Sequence, residues 1–296
     1  MKNLLMTILF SLLTLWTCSE NKEIEPTKNF VTDDLHKKIE IELSPQKVIT
    51  LAPNLTELVF ELGQGNKIIG NTNYCNYPDS AKKIENVADL LSVNLEKITA
   101  LKPDLIFITA EGNSKADYNK LISLGFKVFV SNPRNFAGIK KTMLDMGKIF
   151  RVSEKAEAIV NNWNERIDSV KKTHEQIVAG SVMFLISTNP IYSVGKNTFV
   201  HQILTLAGLK NITSDTDVNY PLLNREEILA RNPNYILLYE TNNNNVSEIL
   251  KAYPEWNTLS AVINDRVFFI NADLFSRPGP RFVDAVEKLN QMILSN

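Results

Sequence analysis

Apolar runs alternate with stretches of helical periodicity along most of the chain, in two successive series. The apolar runs that we predict as strands are residues 48–52, 68–70, 105–109 and 128–130 in the first series and 182–187, 235–239 and 267–270 in the second. The helical stretches between them are residues 56–62, 118–124, 198–207, 226–230 and 281–294. Because alternating strands and helices build parallel sheets that are covered on both faces, the pattern predicts an α/β protein with two Rossmann-like lobes.

A segment without proline joins the two series. Over residues 139–176 apolar side chains recur at helical spacing, and Ser153 suits a helix start. We therefore predict one helix that ends near residue 150 and a longer one over residues 153–177. The predicted organisation is an N-terminal α/β lobe (34–138), a connecting helical segment (139–180) and a C-terminal α/β lobe (181–296), with the ligand cleft between the lobes. A helical connection is stiff, which argues against wide hinge opening.

The first residues have the features of an export signal with a lipid attachment site. Lys2 precedes an apolar stretch over residues 4–15 that is too short to span a bilayer, and Cys18 stands where the cysteine of a bacterial lipobox would be. The predicted segments are a signal peptide (1–17) and a lipid-anchored polar tether (18–33). This predicts a periplasmic or otherwise extracytoplasmic protein held at a membrane. Thr17 departs from the small residue that is usual before a lipidated cysteine, and a plain signal-peptidase site is the alternative.

Charge and composition exclude several functions. The chain has 32 basic and 33 acidic residues, and its net charge of −1 creates no field that would attract nucleic acid. With 2 cysteines and 3 scattered histidines, we predict neither a disulfide framework nor a metal site, and no cofactor. Gly63, Gly65 and Gly195 belong to no complete nucleotide-binding loop. The sequence also contains no recognisable set of catalytic residues. The sequence therefore predicts a protein that is not an enzyme.

A repeated motif places one acidic residue at an equivalent position in each lobe. Residues 94–104 match residues 224–234 at Asn, Glu, Ile, Ala and Pro, and each copy leads into a predicted strand. In both copies the asparagine suits a helix N-cap, and Glu96 or Glu226 falls in the first helical turn. The carboxylates either stabilise their helices or also form a bivalent docking surface for arginines of a partner. The pattern by itself leaves both interpretations open.

Several separated motifs resemble one known family. The motifs that carry the resemblance are residues 48–58 (VITLAPNLTEL), 73–78 (NYCNYP), 93–104, 224–233 and 273–281 (DLFSRPGPR). In collinear order, over about residues 30–294, they resemble the helical-backbone class (class III) of ABC-transporter substrate-binding proteins, and most closely the vitamin B12-binding proteins. The resemblance implies two lobes with a ligand between them and delivery of that ligand to an ABC permease. It also implies that Glu96 and Glu226 contact permease arginines.

The resemblance also implies a set of ligand-binding positions. They are Pro53, Asn54, Tyr74, Leu90, Ile186, Tyr192, Tyr220, Asp273 and Arg277. Several of them follow predicted strands, where open α/β sheets bind ligands. Aromatic and aliphatic side chains would cover the macrocycle of cobalamin or a related corrinoid, and Asp273 and Arg277 would hydrogen-bond its amides. Alternatively, the tyrosines are core aromatics, and Asp273 and Arg277 form a surface ion pair of little energetic value.

The ligand is open between related classes. Leu90 and Tyr220 stand where some vitamin B12-binding relatives carry tryptophan, so the stacking surface is smaller. The same class of proteins also carries ferric siderophores, which favour several cations in the cleft, and haem, which needs an axial His or Tyr. His201 lies in a predicted helix and is more simply interpreted as a packed or surface side chain. The expected function is corrinoid delivery to a permease, and the alternatives are iron-complex delivery and a surface-anchored interaction protein without a small ligand.

Overall fold

The computed structural model describes residues 29–89, 92–174, 180–241 and 245–295. The chain begins with an antiparallel hairpin of β1 (Asn29–Thr32) and β2 (Lys38–Ile41). The elements that follow in the N-terminal lobe are β3 (Val48–Thr50), α1 (Pro53–Glu61), β4 (Ile68–Thr72), β5 (Asn86–Ala88), α2 (Leu95–Leu101), β6 (Leu105–Thr109), α3 (Lys115–Ser123) and β7 (Val128–Ser131). Strands β5-β4-β3-β6-β7 form one parallel sheet in this order.

This sheet has an apolar core on each face, because neighbouring residues of a strand point to opposite sides. In β6, Phe107 packs into one core, whereas Ile106 and Ile108 pack into the other. Phe129 of β7 meets Phe107 edge to face, with 5.8 Å between the ring centroids. Every residue of β6 and β7 is buried, as in a parallel sheet that is covered on both sides.

Two helices lead from the first lobe to the second. They are α4 (Phe136–Phe150) and α5 (Ser153–His174). Asn135 caps the start of α4: its side chain accepts a hydrogen bond from the backbone N–H of Gly138 at 2.9 Å. The two helices pack closely at Gly147, where an added Cβ would lie 2.5 Å from the Cβ of Ala156. Glycine is therefore required at this point of α4.

The C-terminal lobe repeats the architecture of the first. Its elements are β8 (Ser181–Thr188), β9 (Ile191–Ser193), α6 (Phe199–Leu206), β10 (Lys210–Asn211), α7 (Arg225–Arg231), β11 (Tyr235–Tyr239), α8 (Val246–Ala252), α9 (Ser260–Ile263), β12 (Val267–Ile270), α10 (Ala272–Ser276) and α11 (Phe282–Leu294). Strands β10-β8-β11-β12 are parallel, and β9 pairs antiparallel with β8.

The lobes are joined by aromatic and ionic contacts as well as by α5. Phe136 at the start of α4 stacks on Phe282 at the start of α11, with ring centroids 4.9 Å apart. Arg166 of α5 binds Glu287 of α11 through two hydrogen bonds of 2.8 and 2.5 Å and Asp284 through one of 2.6 Å. These contacts place α5 along the junction of the two lobes.

The predicted fold class is confirmed: two lobes with parallel sheets follow each other along the chain. Helix α4 ends at Phe150 and α5 begins at Ser153, as the sequence pattern predicts. The pattern did not predict β1, β2, β5, β9 or β10, and residues 29–33 of the predicted tether belong to the folded part. The predicted signal peptide, Cys18 and residues 18–28 of the tether lie outside the described residues. Within the described ranges no helix is both long enough and apolar enough to cross a bilayer.

Candidate functional site

An aromatic pocket opens at the edge of the C-terminal lobe. It has a volume of about 390 Å³. Its lining residues are Ile186, Tyr192, Val194, Thr198, Phe199, Val200, Tyr220, Tyr239 and Ser276. Three of the predicted ligand-binding residues therefore line one pocket, and all three are exposed: 38% for Ile186, 38% for Tyr192 and 57% for Tyr220. Exposed aromatic faces around a pocket are typical of sites for large, flat, mostly apolar ligands.

Backbone hydrogen bonds fix the wall of this pocket. Tyr192 lies in β9 and forms an antiparallel bridge with Leu222, which stands two residues after Tyr220. On either side, the N–H of Ser193 donates to Pro221 at 3.0 Å and the N–H of Gly195 donates to Asn219 at 2.8 Å. The strand β9 thus holds the Tyr220 segment against β8.

Gly195 permits this close approach of the Tyr220 segment. A Cβ at position 195 would lie only 1.9 Å from the carbonyl oxygen of Val218. A side chain there would push residues 218–219 away from β9. Gly195, which belongs to no nucleotide-binding loop, is therefore explained by the close packing of the pocket wall.

Sequence reasoning missed two aromatic residues of the pocket. Tyr239 is the last residue of β11, and Phe199 is the first residue of α6. Burial, with a smaller contribution from Tyr220, raises the pKa of Tyr239 to about 12, so its hydroxyl is neutral at physiological pH. Tyr239 also meets Phe184 edge to face at 5.2 Å. Its position at the carboxyl end of a strand is the signal that could have identified it.

A charged cluster joins the lobes beside this pocket. Glu57 of α1 is 1% exposed and binds two arginines of the other lobe. Arg281 donates to both of its carboxylate oxygens, at 2.8 and 2.7 Å, and Arg277 donates to one at 3.1 Å. Arg277 also pairs with Asp273 at 2.7 Å, and Asn76 donates to Asp273 at 2.7 Å. We call these five residues the interlobe cluster.

Asp273 and Arg277 do not form an isolated ion pair on the surface, because Arg277 is mostly buried in the interlobe cluster. The side chain of Arg277 is only 12% exposed, whereas that of Asp273 is 37% exposed. Arg277 also donates to the side chain of Asn76 at 2.7 Å and to the backbone carbonyl of Tyr74 at 3.2 Å. Arg277 therefore links the two lobes, and Ser276 beside it reaches the aromatic pocket.

The remaining predicted positions lie near the same junction, with one exception. Asn54 is 5% exposed and donates to the carbonyl of Pro278 at 3.1 Å, so it lies in the contact between the lobes. Pro53 begins α1 beside it and is half-buried. Tyr74 is 44% exposed and follows β4. Leu90 lies outside the described residues.

Glu96 and Glu226 occupy equivalent exposed positions. Each lies in the first turn of its helix, α2 or α7, and neither makes an ion pair within the described part of the chain. The preceding asparagines cap these helices: Asn94 accepts from the N–H of Lys97 at 3.0 Å, and Asn224 accepts from that of Glu227 at 2.7 Å. Each helix runs back to the start of a parallel strand, so both N-termini lie at the carboxyl edges of the sheets. That edge also carries the pocket.

His201 does not line the aromatic pocket. Burial lowers the pKa of His201, and its ring nitrogens lie 3.4 Å from the hydroxyl of Thr205 and 3.3 Å from the side-chain nitrogen of Asn211. In the part of the chain that the structure describes, no group of three His, Cys, Asp or Glu residues is arranged to hold a metal ion. The side chains that line the pocket and its surroundings offer aromatic surface, hydroxyl groups and paired charges.

Known proteins resemble this chain over most of its length. The vitamin B12-binding protein of Pectobacterium carotovorum subsp. carotovorum (strain PC1) is 32% identical over 247 residues, which cover 83% of this chain and 87% of the relative. The crystal structure of the periplasmic vitamin B12 binding protein BtuF of Vibrio cholerae superposes with a TM-score of 0.72 at 29% identity, covering 85% of this chain and 98% of that chain.

A protein named for iron has the same architecture. The structure of a possible iron-binding (periplasmic solute-binding) protein from Staphylococcus epidermidis ATCC 12228 superposes with a TM-score of 0.76 at 26% identity, covering 85% of this chain and 99% of that chain. The family model described as periplasmic binding protein matches residues 48–274. The chain belongs to the periplasmic binding protein family, and within it resembles the vitamin B12-binding proteins.

Proposed function

We propose that this protein binds cobalamin or a related corrinoid outside the cytoplasm and delivers it to the permease of an ABC importer. Binding is reversible, with one ligand per protein and no chemical conversion. The observation that carries the proposal is the aromatic pocket, in which Ile186, Tyr192 and Tyr220 present exposed apolar surface beside a junction of two lobes. The names of the vitamin B12-binding relatives support it.

The shape and polarity of the pocket suit one part of a corrinoid. A pocket of about 390 Å³ matches the low end of small-molecule sites, so it would hold one side of a large macrocycle while the facing lobe covers the rest. In this proposal Tyr74, which is exposed just after β4, supplies an aromatic face from the other lobe. Asp273 keeps an exposed carboxylate edge that can accept hydrogen bonds from the amides at the rim of a corrin.

The charges beside the pocket favour a ligand without large negative charge. The guanidinium groups of Arg277 and Arg281 are both bound to Glu57, and Arg277 is bound to Asp273 as well. Ferric siderophores are usually anionic and need cations that are free to bind them. The interlobe cluster therefore favours the corrinoid over the siderophore alternative.

The exposed carboxylates of Glu96 and Glu226 supply the contact with the permease. They are unpaired within the described residues and stand at the same edge of their sheets, where arginines of a partner would bind them bidentately. Replacing both by alanine should abolish uptake and leave ligand binding unchanged. Glu248→Ala is the matched control, because Glu248 is exposed in the first turn of α8 but lies outside the repeat. Normal uptake by the double variant would contradict the docking role.

Anchoring through a lipid on Cys18 would keep the protein near its permease. In this proposal residues 1–17 are removed on export, and a polar tether connects the lipidated cysteine to β1. Cys18→Ser should abolish the incorporation of a labelled fatty acid into the exported protein. Unchanged incorporation by this variant would contradict lipid anchoring through Cys18 without affecting the ligand assignment.

A titration of purified residues 19–296 tests the ligand. Calorimetry and absorbance should show saturable one-to-one binding of cyanocobalamin, and no saturable binding of haemin or of ferric siderophores. Binding of an iron complex without binding of cobalamin would assign the protein to iron uptake. If none of these ligands binds, the result would favour an interaction protein that carries no small molecule.

A further inference from the structure

We infer that Glu57 is a specificity-determining residue, which neutralises Arg277 and Arg281 at the junction of the two lobes and thereby excludes anionic cargo. This inference rests on the proposed function, because it concerns the choice of ligand at the same site. The relatives and the resemblance gave Glu57 no role. Its side chain contacts the predicted ligand residue Arg277, which in turn pairs with Asp273, at the junction of α1 with the segment before α11.

The geometry makes Glu57 a counter-ion that two arginines share. Its side chain is 1% exposed, and the arginine side chains are 12% and 16% exposed. Arg281 holds it with the parallel pair of hydrogen bonds that a guanidinium fork makes to a carboxylate. Burial lowers the pKa of Arg281, but the hydrogen bonds and charge of Glu57 outweigh this, and the net result is a raised pKa.

The formal charges of the interlobe cluster cancel. Glu57 and Asp273 contribute two negative charges, and Arg277 and Arg281 contribute two positive charges. Tyr77 adds an aromatic face 4.3 Å from the guanidinium of Arg281 but no charge. Without Glu57 the cluster would carry one net positive charge in a mostly buried place, where screening by solvent is weak. A guanidinium fork released from Glu57 is suited to a catecholate or carboxylate ligand.

The test compares variants that change the charge of the cluster by known amounts. Glu57→Gln gives the interlobe cluster a net charge of +1, whereas the double variant Glu57→Gln with Arg281→Gln makes the cluster neutral again. The probes are the trianionic ferric tricatecholate enterobactin, the uncharged ferric hydroxamate ferrichrome, and cyanocobalamin. Thermal melting and circular dichroism check that each variant is folded.

Glu57→Gln should bind ferric enterobactin at least about tenfold more tightly than the wild type, and the gain should shrink as salt is raised. Ferrichrome binding should not change, and the neutral double variant should lose the gain. Equal binding of ferric enterobactin by wild type and Glu57→Gln would overturn the inference. A gain that persists in the neutral double variant would overturn it as well.

A second substitution guards against a variant that does not fold. Asp273→Asn removes the other negative charge of the cluster from a side chain that is 37% exposed, so folding should tolerate it. It should also increase affinity for ferric enterobactin, and no increase would contradict the charge argument. Failure of the wild type to bind cyanocobalamin would refute the proposed cargo alone, because the comparison of anion binding between variants stands independently.

Discussion

Tyr220 should contribute more to ligand affinity than Tyr192, by an amount that follows from its exposure. In the structure Tyr220 is 57% exposed and Tyr192 is 38% exposed. With roughly 200 Å² for a tyrosine, about 115 and about 75 Å² are available for a ligand to cover. At about 25 cal/mol per Å², complete coverage contributes at most about 3 kcal/mol for Tyr220 and about 2 kcal/mol for Tyr192. These values correspond to upper limits of about 100-fold and about 25-fold in affinity.

Calorimetric titration of Tyr220→Ala and Tyr192→Ala with cyanocobalamin measures the two losses. Tyr220→Phe is the matched control, because it keeps the aromatic face and removes only the hydroxyl, and it should stay close to the wild type. Leu43→Ala controls for exposed apolar surface elsewhere, since Leu43 is 77% exposed outside the pocket. Binding by Tyr220→Ala within about twofold of the wild type would refute the assignment of this pocket to the ligand.

Two further predictions concern the contacts that hold α11 in place. Phe282 is fully buried and stacks on Phe136, so Phe282→Ala should lower the free energy of unfolding by about 3–5 kcal/mol, and Phe282→Leu by less; urea denaturation measures both. The hydrogen bonds from Arg166 hold the pKa of Glu287 below its ordinary value of 4.5. The contribution of this ion pair to the stability of the folded protein is therefore complete above pH 4.5 and is lost as the pH falls through the lowered pKa. Unfolding of Glu287→Gln should lack this part of the acid sensitivity, and identical pH profiles for variant and wild type would contradict the assignment.

The sequence predicted the elements whose periodicity is long and regular. Strand β6 coincides with its predicted range, and α5 begins at the predicted Ser153. The short strands β9 and β10 have 3 and 2 residues, too few for a period to be visible, and they exist because a neighbouring strand offers hydrogen-bond partners. Strand β1 was assigned to the tether because its pairing with β2 is a tertiary property that polarity does not reveal.

The candidate site was only partly visible in the sequence for a related reason. Tyr192 and Tyr220 could be grouped through the resemblance, and the structure brings them to one pocket. Glu57 could not be singled out, because an acid inside an amphipathic helix normally lies on the solvent face. It is buried because its arginine partners lie 220 and 224 positions further along the chain. A pairing over that distance leaves no trace in local patterning.

The two lobes attach Glu96 and Glu226, for which we propose the docking role, to their sheets by the same local arrangement. In the N-terminal lobe, Ala88 at the end of β5 bridges Val93, one residue before the cap of α2, and so fixes Glu96 to its sheet. In the C-terminal lobe, Tyr192 of the pocket bridges Leu222, two residues before the cap of α7 that carries Glu226. Because each carboxylate is tied by backbone hydrogen bonds to its own sheet, the distance between them depends on how the lobes are oriented. Under the proposed docking role, a partner that binds both carboxylates would therefore respond to the relative orientation of the two lobes.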